Sequence, residues 1–209
     1  MKIWDLYAPI YKMAMKSDEK TYRFMYDRIP KVIDGLYVLE IATGPGLLAK
    51  NVAHAASKMI ATDFSEGMIK QAQKGDRPAN LSFEVADATN LPLEDNTFDA
   101  VIIANALHII PNPEKALSEI DRVIKPDGIL IAPNFIHRHT GIRSRIWSCI
   151  LKIAGIRFKH QWSEKEYIDF LHSNNWEPVF AKRLDARITM LYTECIKERK
   201  MIYEREEKK

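Results

Sequence analysis

The stretch Val38-Leu39-Glu40-Ile41-Ala42-Thr43-Gly44-Pro45-Gly46-Leu47-Leu48-Ala49 decides the fold. Residues 37–41 are apolar and strand-like, Gly44 and Gly46 punctuate a loop, and a helix opens within that loop and continues through Ala49 to Ala56. Glycines at a strand-to-helix junction let a ligand approach the backbone closely and sit against a helix N-terminus. An acid, Glu40, stands just before the loop.

The same rhythm continues outward. Met59 to Thr62 reads as a second strand ending at Asp63, and Ser65 caps a helix through Lys74, with Glu66 as a favourable early charge. Leu81–Val85 alternates and reads as a third strand ending near Asp87. Phe98–Ala104 is a continuous apolar run, the mark of a central parallel strand, and it leads to Asn105 and His108. Asn112-Pro113 opens a helix whose apolar face is Leu117, Ile120, Val123 and Ile124. Pro126-Asp127-Gly128 predicts a turn, and Ile129–Ala132 a fifth strand. Ser163 and Glu166 form a capping box for a helix to Ser173. Val179–Ala181 and Ile188–Tyr192 predict two last strands, and the mixed charges from Glu194 onward predict a solvated helical tail.

Strands alternating with helices predict an α/β fold: a Rossmann-like doubly wound sheet of about seven strands, mostly parallel, with an antiparallel last strand and helices on both faces. At 209 residues the chain is expected to form one domain. Its parts are an N-terminal helical lid (1–30), a core (31–134), a basic cap insertion (135–162), and a C-terminal helix, strand pair and tail (163–209). In such sheets ligands lie beyond the carboxyl ends of the strands. Glu40 and the glycine loop, Asp63, Asp87, Asn105 and His108 all fall there.

Bulk composition narrows the classes. Hydrophobic content of 46% and charged content of 28% are ordinary for a globular protein, and a net charge of +3 does not argue for nucleic acid. Cys149 and Cys195 form no paired motif, which disfavours a disulfide framework or structural zinc and fits a reducing cytosol. No apolar run reaches the length of a transmembrane helix, and the N-terminus lacks a signal peptide's apolar core, so a cytoplasmic protein is expected.

The ligand is read from charge. Gly44-Pro45-Gly46-Leu47-Leu48-Ala49 formally fits the dinucleotide pattern G-x-G-x-x-G/A, with Asp63 at about the expected distance. Glu40 argues against a pyrophosphate, which it would repel. S-adenosylmethionine has no phosphate and carries an ammonium and a sulfonium, so an acid beside the loop favours it. Asp63 suits ribose hydroxyls with either cofactor, and Asp87 suits an adenine amino group.

Four segments, correctly ordered, resemble the class I S-adenosylmethionine-dependent methyltransferases, of the small-molecule type that includes ubiquinone/menaquinone C-methyltransferases and bacterial phospholipid N-methyltransferases. They are Val38–Gly46, Ala61-Thr62-Asp63-Phe64-Ser65-Glu66-Gly67-Met68, Ala86–Leu93 followed by Phe98-Asp99, and Arg122–Gly128. By that resemblance Glu40, Ala42, Thr43, Gly44 and Gly46 hold the methionine end of S-adenosylmethionine, or of its product S-adenosylhomocysteine. Asp63 holds the ribose, Phe64 and Met68 pack near the adenine, Asp87 and Ala88 meet its edge, and Asn105 lies beneath the cofactor. Ala42 departs from the family's usual glycine, and its methyl is tolerable there only at negative φ.

The acceptor is less defined. Asp5-Leu6-Tyr7-Ala8-Pro9-Ile10-Tyr11 resembles the family's opening motif, which implies a lid carrying Tyr7 and Tyr11. Between Ile136 and Ser163 there are six Lys or Arg, three His and no acid. Ile142, Ile146, Ile150 and Ile153 fall on one helical face, so residues 142–159 predict a cap helix over the site or a weak contact with an anionic membrane. His108 is the first candidate for a base, with His137 and His139 behind it. No metal site and no nucleic-acid module is expected. The expected reaction is in-line methyl transfer to a small-molecule or amphipathic acceptor. Two other readings stand beside it: a non-catalytic S-adenosylmethionine-binding protein and an NAD-dependent oxidoreductase.

Overall fold

The computed structural model describes residues 19–136, 160–185 and 188–198. Tyr7, Tyr11, His137, His139, Cys149, the predicted cap helix 142–159 and the chain after 198 lie outside the described residues.

In chain order the elements are α1 (Glu19–Val32), β1 (Tyr37–Ile41), α2 (Leu47–Val52), β2 (Lys58–Asp63), α3 (Glu66–Ala72), β3 (Leu81–Val85), β4 (Phe98–Ile103), α4 (Pro113–Val123), β5 (Ile124–Ile131), β6 (Asn134–Phe135), α5 (Glu164–Ser173), β7 (Trp176–Leu184) and β8 (Met190–Lys197). They build one mixed sheet in the order β3-β2-β1-β4-β5-β8, with β7 paired to the free side of β8. The pairings among β3, β2, β1, β4 and β5 are parallel, and β8 is antiparallel to its neighbours. The two-residue β6 continues β5 along the same edge of β8: Ile131 pairs with Glu194, and Asn134 with Leu191. The predicted sheet of about seven strands is therefore present, with β5 and β6 as one interrupted strand.

The alternation of side chains across each strand sorts the helices. Val38, Met59, Ala61, Ala100 and Ile102 face α1, α2 and α3 through Met25, Ile29, Leu48, Val52 and Ile69. Leu39, Ile41, Ile60, Val101 and Ile103 face α4 and α5 through Leu117, Ile120, Tyr167 and Leu171. Central strands buried on both faces must be apolar throughout, and β1, β2 and β4 are so apart from Glu40, the exposed Lys58 and the Thr62-Asp63 end of β2, and Asp99. The predicted caps are in place: Asn112 accepts from the Lys115 amide, and Ser163 and Glu166 form a complete capping box.

Two expectations need correction. Strand β5 starts at Ile124, not Ile129, and the predicted turn Pro126–Gly128 is absorbed as an irregularity between the Phe98↔Ile124 and Ala100↔Ile129 pairs. A Cβ on Gly128 would lie 2.5 Å from Cγ1 of Ile124 and 3.0 Å from the Asp99 carbonyl, which explains glycine there. Glu194–Lys197, expected to open a helical tail, is strand instead, and Glu194 is buried. Its charge, read as solvated, is met by Arg28 of α1, 166 positions away, at 2.8 Å (Nε–Oε1) and 2.6 Å (Nη2–Oε2). Tyr192 donates to Oε1 at 2.8 Å, and the Arg28 guanidinium lies 4.5 Å from the centre of the Phe180 ring. Cys195 beside it is a core residue, its thiol pushed up to about 12 by burial.

This bidentate pair fastens α1 to the far half of the sheet. Arg28→Ala strands a buried carboxylate and is expected to lower the unfolding free energy by about 3 kcal/mol. Glu194→Gln, which removes the charge but keeps the shape, is expected to cost less. Urea denaturation of both variants measures the order, and equal losses would contradict it.

Candidate active site

Strand β1 is flanked by β2 on one side and β4 on the other, so the helices leaving their ends diverge and open a crevice above β1. The chain turns there in left-handed steps: φ is +57° at Ala42, +57° at Gly44 and +74° at Gly46. The turn is held by Thr43 N–H to the Thr62 carbonyl (2.9 Å) and Gly46 N–H to the Thr43 carbonyl (3.1 Å). A Cβ on Gly46 would come within 2.8 Å of the Phe83 ring. The negative φ expected at Ala42 is not found. The residue occupies the glycine region as alanine, because the loop's hydrogen bonds to β2 fix the backbone whatever side chain it carries.

Glu40 stands below this turn on the α1–α3 face, in register with Ala61 of β2 and Ile102 of β4. It is 2% exposed, and its Oε2 has no hydrogen-bond partner. Burial pushes its carboxyl up to about 8, and the Asp63 carboxylate acts in the same direction, while Thr43 and Ala49 offset part of this. The Tyr26 hydroxyl on α1 is in turn raised by its own burial and by Glu40. Three more buried polar atoms at this edge lack partners: Oγ1 of Thr43 and both amide atoms of Asn105. Buried polar groups are normally satisfied, and a cluster of exceptions marks a place shaped for a ligand. The donor set asks for a cation at Glu40 and hydrogen-bonding groups beside it, which an ammonium-bearing ligand supplies and a pyrophosphate does not.

On the β2–β3 side, Asp63 accepts from Gly44 N–H (Oδ2, 2.8 Å) and Ser65 N–H (Oδ1, 2.9 Å), so the acid also ties the glycine loop to the next helix. Phe64 is 49% exposed, and Val85, paired with Asp63 across the ladder, is 48% exposed. Two bared apolar side chains at adjoining strand ends form a surface suited to a flat ring. Val85 is a candidate that the sequence does not single out, since in the β3 pattern it is one more strand valine. Met68 is buried, and Ala88 is half-buried against the core. Asp87 is exposed, its Oδ1 accepting from the Thr89 amide and hydroxyl, both at 2.8 Å.

On the β4–β5 side, Asn105 takes φ +53° and donates its N–H to the Pro133 carbonyl at 2.8 Å. Asparagine tolerates that conformation better than most residues. His108 is 4% exposed, and its Nδ1 lies 2.8 Å from Oδ1 of the fully buried Asn134. Burial lowers the imidazole to about 4 against the Asn134 bond, and His160 lowers it further. His108 is therefore neutral at physiological pH. The Phe135 ring meets it edge-on at 5.5 Å, and His160 stacks on Trp162 at 5.2 Å. Asn134, Phe135, His160 and Trp162 were not singled out by sequence. The nearest signal was their place at either end of the basic insertion. Among the described residues no cluster of three or more His, Cys, Asp or Glu could hold a metal. No helix among them is long and apolar enough to cross a membrane.

Glu40 holds a proton in the folded state that the unfolded chain, with an ordinary value of 4.5, releases. Its contribution to stability is complete below pH 4.5 and is lost as pH rises through about 8. His108 acts oppositely, its contribution complete above 6.5 and lost as pH falls through about 4. Glu40→Gln is thus expected to be more stable than the parent at pH 8, with an advantage that shrinks toward pH 5 in thermal unfolding. Ala42→Gly is expected to be neutral or stabilising by up to about 1 kcal/mol, as relief of left-handed strain is set against a freer unfolded chain. Gly46→Ala, strained and pressed on Phe83, is expected to cost roughly 2 kcal/mol or more.

Comparison with known proteins agrees with this geometry. Residues 39–132 match the methyltransferase domain family. Over 140 residues the chain is 36% identical to a demethylmenaquinone methyltransferase of Renibacterium salmoninarum, covering 65% of this chain and 58% of the relative. The chain spans about half the length of this and two similar relatives. A chain of the complex between the Haloferax volcanii Trm112 methyltransferase activator and a methyltransferase superposes with TM-score 0.77 at 21% identity, covering 93% of this chain and 95% of that one. The DhpI–SAH complex gives 0.72 at 20% identity, covering 93% of each. These two likenesses speak for the fold, and the motif-bearing core speaks for the family. Residues 39–132 thus carry a match to the methyltransferase domain family, in line with the resemblance read from the sequence motifs.

Proposed function

We propose that the protein binds S-adenosylmethionine above β1 and transfers its methyl group to a small aromatic acceptor of the quinol type. The observation that carries the cofactor is the buried carboxyl of Glu40, whose Oε2 has no hydrogen-bond partner. It meets the ammonium of the methionine end, while Thr43 and Asn105 supply hydrogen bonds around it. Asp63 keeps its two backbone bonds and accepts from the ribose hydroxyls with its remaining lone pairs. Phe64 and Val85 pack on the adenine, with Met68 behind them and Asp87 and Ala88 at the rim.

S-adenosylmethionine supplies a methyl group already activated on sulfonium. What remains for the chain is to orient acceptor and methyl in line and to keep water out, which can amount to roughly 7–11 kcal/mol in favourable cases. The acceptor class rests on the aromatic neighbours of His108 and on the name of the relatives. His108, buried beside Asn134, lines the acceptor's side of the crevice.

Calorimetry with S-adenosylhomocysteine and with NADH tests the cofactor. The expected result is binding of the first and not the second, with an affinity loss of about tenfold or more in Glu40→Gln, as for a lost charge-assisted bond. Transfer of isotope-labelled methyl to 1,4-naphthoquinol tests the acceptor. Tight NADH binding, or full affinity for S-adenosylhomocysteine in Glu40→Gln, would contradict the reading.

A further inference from the structure

The two flanks of α1 face different parts of the molecule. Met25 and Ile29 are fully buried at the centre of its inner face. One position back, Phe24 meets the Tyr192 ring of β8 edge-on at 5.1 Å, and Arg28 grips Glu194 of the same strand. Strand β8 lies beyond β4 and β5 from β1, so that flank is turned away from the glycine loop. One position forward, Tyr22 and Tyr26 occupy the opposite flank, toward α2, on which α1 packs. Their ring centres are 5.8 Å apart, and both rings pack on the core that α1, α2 and α3 share with the sheet.

The connection to β1 sets the height of Tyr26. Residues 33–36 turn the chain from the end of α1 into the strand it packs against, so helix and strand run antiparallel. Tyr26 lies six residues above Val32, and Glu40 three above Tyr37. At about 1.5 Å per helical residue and about 3.3 Å per strand residue, both stand about 9–10 Å above that turn. Glu40 is turned to the sheet face that carries α1, since its ladder partners Ala61 and Ile102 belong to that core. The Tyr26 hydroxyl is raised first by its own burial and then by the Glu40 carboxylate, so it keeps its proton within electrostatic reach of that acid. The side chain is half-buried, and its hydroxyl has no hydrogen-bond partner among the described residues.

A ligand that answers Glu40 with the ammonium of an amino-acid end brings a carboxylate with it. Glu40 and Asp63 both repel that group. A lysine or arginine beside it would pair with Glu40 and shut out the ammonium. A hydroxyl donates to an anion and leaves the charge of Glu40 open. We propose that the Tyr26 hydroxyl donates a hydrogen bond to the carboxylate of the ligand's amino-acid end, so that the site takes a zwitterion in preference to a simple cation. The Arg28–Glu194 clamp on the other flank holds α1 at the rotation that turns Tyr26 to the crevice. This contact rests on the S-adenosylmethionine site proposed above and brings α1 into it.

Calorimetry of the full chain with two ligands tests the contact: S-adenosylhomocysteine, and its decarboxylated analogue S-adenosyl-3-thiopropylamine, which keeps the ammonium and lacks the carboxylate. The parent should bind the first more tightly. Tyr26→Phe should lose about tenfold or more in affinity for S-adenosylhomocysteine, as for a lost bond to a charged group, and keep its affinity for the analogue. Glu40→Gln should weaken both. The hydroxyl has no partner among the described residues to lose, so ligand-free Tyr26→Phe should melt with the parent, and its retained affinity for the analogue reports an intact site. Equal losses for the two ligands, or a ligand-free variant that melts well below the parent, would overturn the proposal. A parent that binds neither ligand would overturn the cofactor reading itself, and the contact with it. A parent that binds both, with Tyr26→Phe unaffected, would overturn the role of Tyr26 alone.

Discussion

The rest of the structure depends on how the chain leaves β1. That strand is hydrogen-bonded on both sides, its neighbours feed helices that diverge, and a carboxyl is buried at its end. The backbone can climb from there to α2 only through left-handed steps at residues 42, 44 and 46. Those steps place a tight loop over Glu40 and bring Asp63 under Gly44. A carboxyl so enclosed, beside a second one and with no described cation bonded to it, sits at its lowest free energy only as the neutral acid or against a ligand's positive charge. The fold thus leaves an unsatisfied polar site at the end of its central strand β1.

Around that centre, polar burial follows one rule in two forms. Among the described residues the buried charges outside the crevice are matched, though the neutral Trp176 Nε1 and Thr21 Oγ1 have no hydrogen-bond partner. Glu194 has Arg28 and Tyr192, and Arg122 reaches Glu119, Asp95 and the Leu91 and Leu93 carbonyls, which locks the connection into β4. At the strand ends the costs at Glu40, Thr43 and Asn105 are left open. Stability and binding therefore compete in a small set of residues, while the Arg28–Glu194 clamp keeps α1, with Tyr26, packed against the face that holds Glu40.

Much of this was legible in sequence. Local periodicity places β1 to β4, α4 and α5 within a few residues, and charge alone separates an ammonium-bearing ligand from a pyrophosphate at Glu40. The failures are all matters of long-range pairing. Glu194 reads as a solvated tail because its cation lies on α1 and its strand partner is β5. Pro126–Gly128 reads as a turn because the bulge that absorbs it is a property of the β4–β5 ladder. Ala42 was expected at negative φ because a side chain's preference is local, whereas its conformation is imposed by the bond from Thr43 to β2. Asn134 carries no motif at all, and only the kink between β5 and β6 puts its amide against His108.

The central claim is that Glu40 waits as a neutral acid and is ionised by its ligand. Proton release on binding S-adenosylhomocysteine at pH 7 measures this directly, by titration calorimetry in two buffers of different ionisation enthalpy. With its carboxyl at about 8 in the ligand-free protein, Glu40 should give up close to one proton on binding, and Glu40→Gln should give up none. Equal proton counts for the parent and Glu40→Gln would contradict the account.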